Sequence, residues 1–250
     1  MTPKISYIVA TQNRGDLIGD TIKSLINQDE PAWEAIIVDD HGADNTEEVV
    51  KNFNDQRLIY IKLSDSHGRG ASCARNLAAI WAKAPIVAIT DSDDLLYANR
   101  TLETLKAFAE NPEIDIFYSD FDIWEEKTGI IRSRKTPIGE YSLEKIKQGH
   151  FIPHITLALK RQILLDNPYN QFYKIAEDYE LLTRLALQDK NFYFCPEKLM
   201  KYRISDTNMS IGAEKKELVD LYGKLVRMIR GFIPCEENTL EKIEQLERRK

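Results

Sequence analysis

The sequence predicts an α/β fold with a mostly parallel central sheet flanked by helices, and three observations carry that expectation. Short β-branched apolar runs recur at 5–10, 35–39, 58–62 and 86–90, the composition of strands buried on both faces. Amphipathic helical patterns fill the intervals between them. Strand and helix in alternation imply parallel strands joined by right-handed crossovers, and 250 residues suffice to bury a full core in one such domain.

The elements follow in order. "ISYIVA" is the first strand and runs into the polar loop Thr11 to Arg14. A helix is expected from Gly15-Asp16, because Leu17, Ile18, Thr21, Ile22, Leu25 and Ile26 form one stripe. "AIIVD" is the second strand and ends in the loop Asp39 to Asn45. The next helix opens at "DNTEEVV", where Asp44 and Glu47 have capping-box spacing. After "LIYIK" comes a helix whose core face is Ala74, Leu77, Ala78 and Trp81; the strand "IVAIT" then runs into "DSDD". "YSDFDIWEE" alternates like a strand before fraying into charge, and its Tyr118, Phe121 and Trp124 read as core or as a stacking wall for a sugar. "GHFIPHITLALKR" reads as a loop entering a strand, "ITLAL"; Pro153 opposes a helix that would pair His150 with His154 on zinc.

Leu181, Leu182, Leu185 and Ala186 define a further helix, which leaves Glu177 and Asp178 at its N-terminus. Beyond Gly212, the residues Leu218, Leu221, Tyr222, Leu225, Ile229 and Phe232 form a helical stripe. Such a stripe most often packs back on its own domain, with a membrane-surface or dimer helix through 214–250 as the competing readings. After Pro234 the chain reads as a charged, solvated end.

Composition removes several function classes. Thirty-four basic residues against 40 acidic ones give a net charge of −6, with no clustered basic face for nucleic acid. The apolar runs are far shorter than a bilayer span and the N-terminus lacks a signal-like stretch, so a soluble cytoplasmic protein is expected. Cys73, Cys195 and Cys235 form no CxxC pair, which fits a reducing compartment.

In a parallel α/β sheet, ligands collect beyond the carboxyl ends of the strands. Here "TQNR", "DDHGADN" and "DSDD" would converge on one rim, two of the three loops being acidic. Any one of these loops is explained by turn and cap chemistry, but turns do not require carboxylate pairs at two separate strand ends. Asp91, Asp93 and Asp94 within four positions repel one another, a cost that a divalent cation among them removes. Hard oxygen ligands suit Mg2+ or Mn2+, which complete their shells with water and substrate phosphates.

The blocks "SYIVATQNR", "IIVDDHGADNT", "GRGASCARN", "DSDD" and "AEDYELLTRLA" occur in the order and spacing of glycosyltransferase family 2, and the chain resembles that family from about residue 4 to about residue 212. The resemblance implies a GT-A nucleotide-diphospho-sugar transferase fold with a helical C-terminal tail. It implies a metal-dependent inverting transferase that moves one sugar from a nucleotide-diphosphate donor, a UDP-sugar by preference, to a hydroxyl of a saccharide or lipid-linked acceptor. Residues 1–110 would bind the donor, 111–212 would bind acceptor and carry the base, and 213–250 would form a helical extension. By position, Thr11, Gln12, Asn13 and Arg14 match the segment against base and ribose, and Asp40 matches the base-recognising acid. Arg75, Ser92 and Arg203 match positions near the nucleotide, Arg203 at the diphosphate. Asp91 and Asp93 match the DxD pair, the first near ribose and the second on Mn2+ or Mg2+, while Asp94 reads as a local cap. Asp178 matches the general base, with Glu177 supporting it or binding acceptor.

Four positions depart from the family pattern. Ala10 and Gln12 stand where proline and an aromatic are common, and His41 replaces a small residue after the acid pair. Ser205 occupies the place of a histidine that often completes the metal shell, which leaves Asp206 as its substitute. The processive signature QxxRW is absent, so one sugar per encounter is expected. A dinucleotide oxidoreductase would need GxGxxG after the first strand, and "ATQNRGD" is not that. A non-catalytic nucleotide-sugar binder of the same fold is the alternative, and the intact Glu177-Asp178 pair argues against it.

Overall fold

A computed structural model describes residues 2–64, 69–133, 139–149, 152–205, 213–234, 236 and 238–247. Its first part is the expected alternation: β1 (Ile5–Thr11), α1 (Gly15–Ile26), β2 (Trp33–Asp39), α2 (Thr46–Asn52), β3 (Leu58–Lys62), α3 (Ala71–Trp81) and β4 (Ile86–Ile89). These four strands are parallel in the order β3-β2-β1-β4. All seven residues of β2 are buried, the apolar run Ala35–Val38 on both faces and Glu34 with its carboxylate accepting from Ser6 Oγ and Lys83 N. Ile8, Ile36, Val38, Val87 and Ile89 pack on Ala74 and Ala78 of α3, while Val9 and Ile37 pack on Ile18, Ile22 and Val50 from α1 and α2. The sheet is therefore covered on both faces, and its polar groups are confined to the strand ends.

The second part is β5 (Leu95–Leu96), α4 (Arg100–Glu110), β6 (Ile116–Glu125), β7 (Ile130–Ser133), α5 (Leu143–Lys147), a 3-10 turn (His154–Thr156), β8 (Ala158–Lys160), α6 (Arg161–Asp166), α7 (Glu177–Ala186) and β9 (Phe192–Ile204). The full order is β3-β2-β1-β4-β8-β6-β9-β5, with β7 on β6. Here the sheet departs from the mostly parallel expectation. β4-β8, β6-β8, β5-β9 and β6-β7 are antiparallel, and only β6-β9 is parallel. The cause is local: β6 and β7 form a hairpin and β8 is entered from a 3-10 turn, so no helical crossover enforces parallel direction. "ITLAL" accordingly splits, its first half belonging to the turn and only Ala158–Lys160 to a strand.

At the C-terminal end, α8 (Ala213–Ile229) packs Leu218, Tyr222, Leu225 and Val226 into the same core cluster as Leu181, Leu182 and Leu185 of α7. The tail expected to be solvated contains α9 (Thr239–Glu247), whose Ile243 is buried in that cluster and whose Glu247 accepts from Tyr222 at 2.7 Å. Among the described residues no helix is long and apolar enough to cross a membrane.

Candidate active site

The first two strand ends are stitched together by side-chain to backbone bonds. Thr11 lies opposite Asp39 in the β1-β2 register. Gln12 Nε2 donates to the Asp40 carbonyl at 2.7 Å, and the Asn13 carboxamide oxygen accepts from Ala43 N at 2.7 Å. Asp44 does not act as the first member of a capping box. Its Oδ2 accepts from Gly15 N at 2.8 Å, so it secures the start of α1, and its Oδ1 accepts from Thr46 N and Oγ1, one residue inside α2. Asn13 and His41 both hold left-handed backbone, with φ of 53° and 62°. That conformation costs an L-residue with a Cβ about 1–2 kcal/mol, a cost that at position 41 only glycine would avoid. Gly42 is required by close approach, since a Cβ there would meet Asp39 Oδ1 at 2.7 Å. Thr11 is buried and its Oγ1 has no hydrogen-bond partner.

The two acids after β2 have different tasks. Asp39 points into the fold, accepting from Gly42 N at 2.7 Å and Tyr60 Oη at 2.5 Å. Asp40 accepts from Arg69 N at 2.8 Å and Gly70 N at 2.7 Å, which fixes the entry to α3. One turn into α3, Arg75 is 6% exposed and bridges two elements: Nη1 reaches Glu177 at 2.6 Å and Nη2 reaches Asp91 at 3.0 Å. These bonds join the end of β4 to the start of α7 through α3, Arg75 and Glu177 lying 102 residues apart in sequence.

The crowded loop after β4 separates its three acids by environment. Burial works to raise the Asp91 pKa, but Arg75 overrides it and holds this carboxyl below the ordinary range. Asp93 is raised, first by burial and then by the Asp91 charge; its Oδ2 stands 4.0 Å from Arg14 Nε. Asp94 is fully buried, accepts from Arg203 N at 2.8 Å, keeps Oδ2 without a partner, and is raised well above the ordinary value by burial and both neighbours. Its backbone carbonyl accepts from Thr21 Oγ1 at 2.8 Å, so Asp94 anchors the loop rather than facing outward. Ser92 is buried beside it.

Arg203, expected at the diphosphate, instead lies 1% exposed beneath this loop. It donates to the Asp93 carbonyl at 2.7 Å, Glu126 at 2.6 Å and Asp20 at 3.1 Å, with its guanidinium 4.6 Å from the Trp124 ring. Its three nitrogens are thereby committed to holding the loop. Tyr118 and Phe121 are core, whereas half-buried Trp124 lines a shallow concavity of about 480 Å3 with Asp20, Asn27, Tyr97 and Lys201.

The acid pair at the start of α7 follows Ala176, a left-handed residue with φ 62°. Glu177 is taken by Arg75, and Asp178 Oδ1 accepts from Tyr179 N at 2.7 Å. Burial, then the Glu177 charge, push Asp178 up to about 7. Arg75 thus neutralises one acid of the pair and leaves the other basic.

Two residues at this cluster were not among the expected site residues: His154 was weighed only as a zinc ligand with His150, and Tyr169 gave no signal. Tyr169 lies under the Arg75 guanidinium at 5.6 Å, and its hydroxyl bonds His154 Nε2 at 2.7 Å. Burial and then Arg75 push His154 down to about 3, so it is neutral and engaged; His150 and Asp206 lie outside the described residues. Among the described residues no group of three or more His, Cys, Asp or Glu side chains is arranged to hold a metal ion. Asp91 and Asp93 still fit one. They offer hard oxygen donors, and the raised Asp93 is the state a nearby divalent cation would relieve, with phosphates and water completing the shell.

The sequence signature described as Glycosyl transferase family 2 matches residues 6–173. The chain belongs to that family. This family 2 chain is 30% identical over 228 residues to an uncharacterized glycosyltransferase of Methanocaldococcus jannaschii, covering 88% of this chain and 77% of the relative. It is 29% identical over 226 residues to an Escherichia coli UDP-Glc:alpha-D-GlcNAc-diphosphoundecaprenol beta-1,3-glucosyltransferase, covering 89% of this chain and 86% of that enzyme. The structure superposes on S. aureus TarS in complex with UDP-GlcNAc with a TM-score of 0.69 at 19% identity, over 98% of this chain and 72% of that one. It also matches the mannosyltransferase PcManGT of Pyrobaculum calidifontis, in complex with GDP-Man and Mn2+, with a TM-score of 0.68 at 17% identity, over 99% of this chain and 69% of that one. These likenesses give the family 2 chain the GT-A fold.

Proposed function

We propose that the protein is an inverting hexosyltransferase that moves one sugar from a UDP-sugar to a hydroxyl of a saccharide or lipid-linked acceptor, as in surface polysaccharide or glycan synthesis. One observation carries the reading: Arg75 joins Asp91 to Glu177 and leaves Asp178 beside them, half-buried and pushed up to about 7. A base poised near neutral pH is what deprotonation of an acceptor hydroxyl requires. The UDP-linked donor and lipid-linked acceptor named for the Escherichia coli relative support the substrate classes. Such an acceptor suits an enzyme working in the cytoplasm at the inner membrane face.

In this reading residues 1–110 bind the donor, 111–212 carry the acceptor side and the base, and 213–250 brace the second part. Thr11, with its orphaned hydroxyl, and Gln12, Asn13 and Arg14 face nucleoside. Asp40 keeps further lone pairs for the base while holding the loop into α3. Ser92 and Arg75 lie on the ribose and phosphate side, and Arg203 acts from beneath by fixing the Asp93 carbonyl. Asp93, with Asp91 and Asp206, would hold Mn2+ or Mg2+, and that ion supplies charge compensation for the departing diphosphate. Asp178 takes the proton of the acceptor hydroxyl. The acceptor oxygen forms its bond to the anomeric carbon on the face opposite the diphosphate, the bond to the diphosphate oxygen breaks, and configuration inverts.

The test is a melting-temperature screen of UDP-, GDP- and dTDP-sugars with and without Mn2+, followed by nucleotide release. At a hundredfold excess over Kd a ligand of the folded state contributes about 2.7 kcal/mol, roughly 5–10 °C for a chain of this length. A Mn2+-dependent shift with a UDP-sugar, and UDP release on adding acceptor, are expected. No shift with any nucleotide sugar would remove the reading.

A further inference from the structure

We infer that Tyr169 and His154 are positioning residues that keep the Arg75 guanidinium on Glu177 and Asp91 through sugar transfer, an inference that rests on the transferase reading above. An arginine side chain carries about 2 kcal/mol of rotamer entropy, so a bridge between two elements holds its geometry only if something besides the two carboxylates restrains it. The remaining guanidinium nitrogen does not supply that restraint, since Nε of Arg75 is buried with no partner. Its face does: the Tyr169 ring lies 5.6 Å from the Arg75 central carbon, a cation–π contact in a dry site.

Tyr169 is in turn fixed from three directions. Asn76, next to Arg75 on α3, accepts from Tyr169 N at 2.8 Å and donates to the Tyr169 carbonyl at 2.9 Å. The same helix thereby sets both the arginine and the backbone of the ring beneath it. The hydroxyl bonds His154 Nε2 at 2.7 Å, and the two rings meet edge to face at 5.6 Å and 85°. Tyr169 is 2% and His154 8% exposed, so water does not compete for that bond. As a neutral imidazole His154 places no second cation opposite Arg75. Without this support Arg75 is free to turn toward Asp178, the acid that must remain unpaired to act as base.

The test compares full-length variants by donor KM, kcat and crystal structure. Tyr169→Leu removes the ring; His154→Leu removes the hydroxyl's partner; His154→Gln restores a side chain that can donate to or accept from the hydroxyl. We expect Tyr169→Leu to lower kcat by ~10–100-fold and His154→Leu by ~5–10-fold, with donor KM rising by a smaller factor as Arg75 leaves the ribose and phosphate side. His154→Gln should return kcat to within about twofold of wild type, a rescue that a packing defect would not show. In crystals of either Leu variant Arg75 should leave Glu177 or Asp91. An Arg75 that keeps both carboxylates in those crystals, or a folded His154→Leu variant with wild-type kcat, would overturn the inference. A wild-type protein inactive on every donor removes the transferase reading instead, while the crystallographic comparison still decides whether Tyr169 and His154 hold Arg75.

Discussion

Asp178 is pushed in one direction by two causes, burial and the charge of Glu177, and Arg75 is spent on Glu177 rather than on Asp178. In the proposed mechanism Asp178 acts as base when ionised, so kcat should rise with pH through about 7 and level above it. The same shift affects stability with the opposite sign. An aspartate raised from about 3.9 in the unfolded chain to about 7 in the fold binds its proton more tightly when folded, so its contribution is present below pH 4 and is lost as pH rises through 7. Asp178→Asn should therefore cut transfer by ~100-fold or more, leave UDP affinity unchanged, and raise the melting temperature by a few degrees at pH 8 but not at pH 4. Rate–pH profiles and melting curves of both proteins check this. The helical stripe placed the acid pair at a helix start, where such charge ordinarily complements the helix dipole, and only the resemblance to family 2 singled the pair out as catalytic. Tyr169 was not legible: it lies in the irregular segment after α6, and its contacts with Asn76 and His154 are made only by the fold.

Helix α7 is braced from behind by the C-terminal segment. Glu180, one turn after Glu177 and 1% exposed, accepts from Arg184 at 3.1 and 3.2 Å and from Arg230, just past α8. A buried carboxylate that loses one of two cations keeps part of its compensation. Arg230→Ala should then cost about 1–3 kcal/mol, seen as a melting temperature lower by ~3–10 °C, with Arg230→Lys intermediate. The α8 stripe was legible because its apolar residues recur at helical spacing and meet the Leu181, Leu182 and Leu185 face. Helix α9 was hidden by charge: Leu240 is 51% exposed, and Ile243 is the buried anchor. β9 was hidden as well, because its thirteen residues mix buried and exposed positions without strict alternation where the ladder to β6 shifts register.

The molecule divides its sheet between two tasks. The parallel strands β1 to β4 end in one polar rim, and this half was readable because doubly buried strands leave an unmistakable apolar record. The mixed half, built from a hairpin, a 3-10 turn and a two-residue strand, brings α7 and the clamp of Arg203 to that rim by contacts no local pattern encodes. Asp94 is structural and Asp91 is held by Arg75, so in the proposed function Asp93 is the acid that would meet a cation and a diphosphate. Calorimetric titration of UDP into wild type and Asp93→Asn, each with Mn2+ and with EDTA, tests this most directly. Wild type should bind UDP at least ~10-fold more tightly with Mn2+ than with EDTA, and Asp93→Asn should lose that gain while remaining folded. Equal UDP affinity in Mn2+ and EDTA, unchanged by Asp93→Asn, would contradict it.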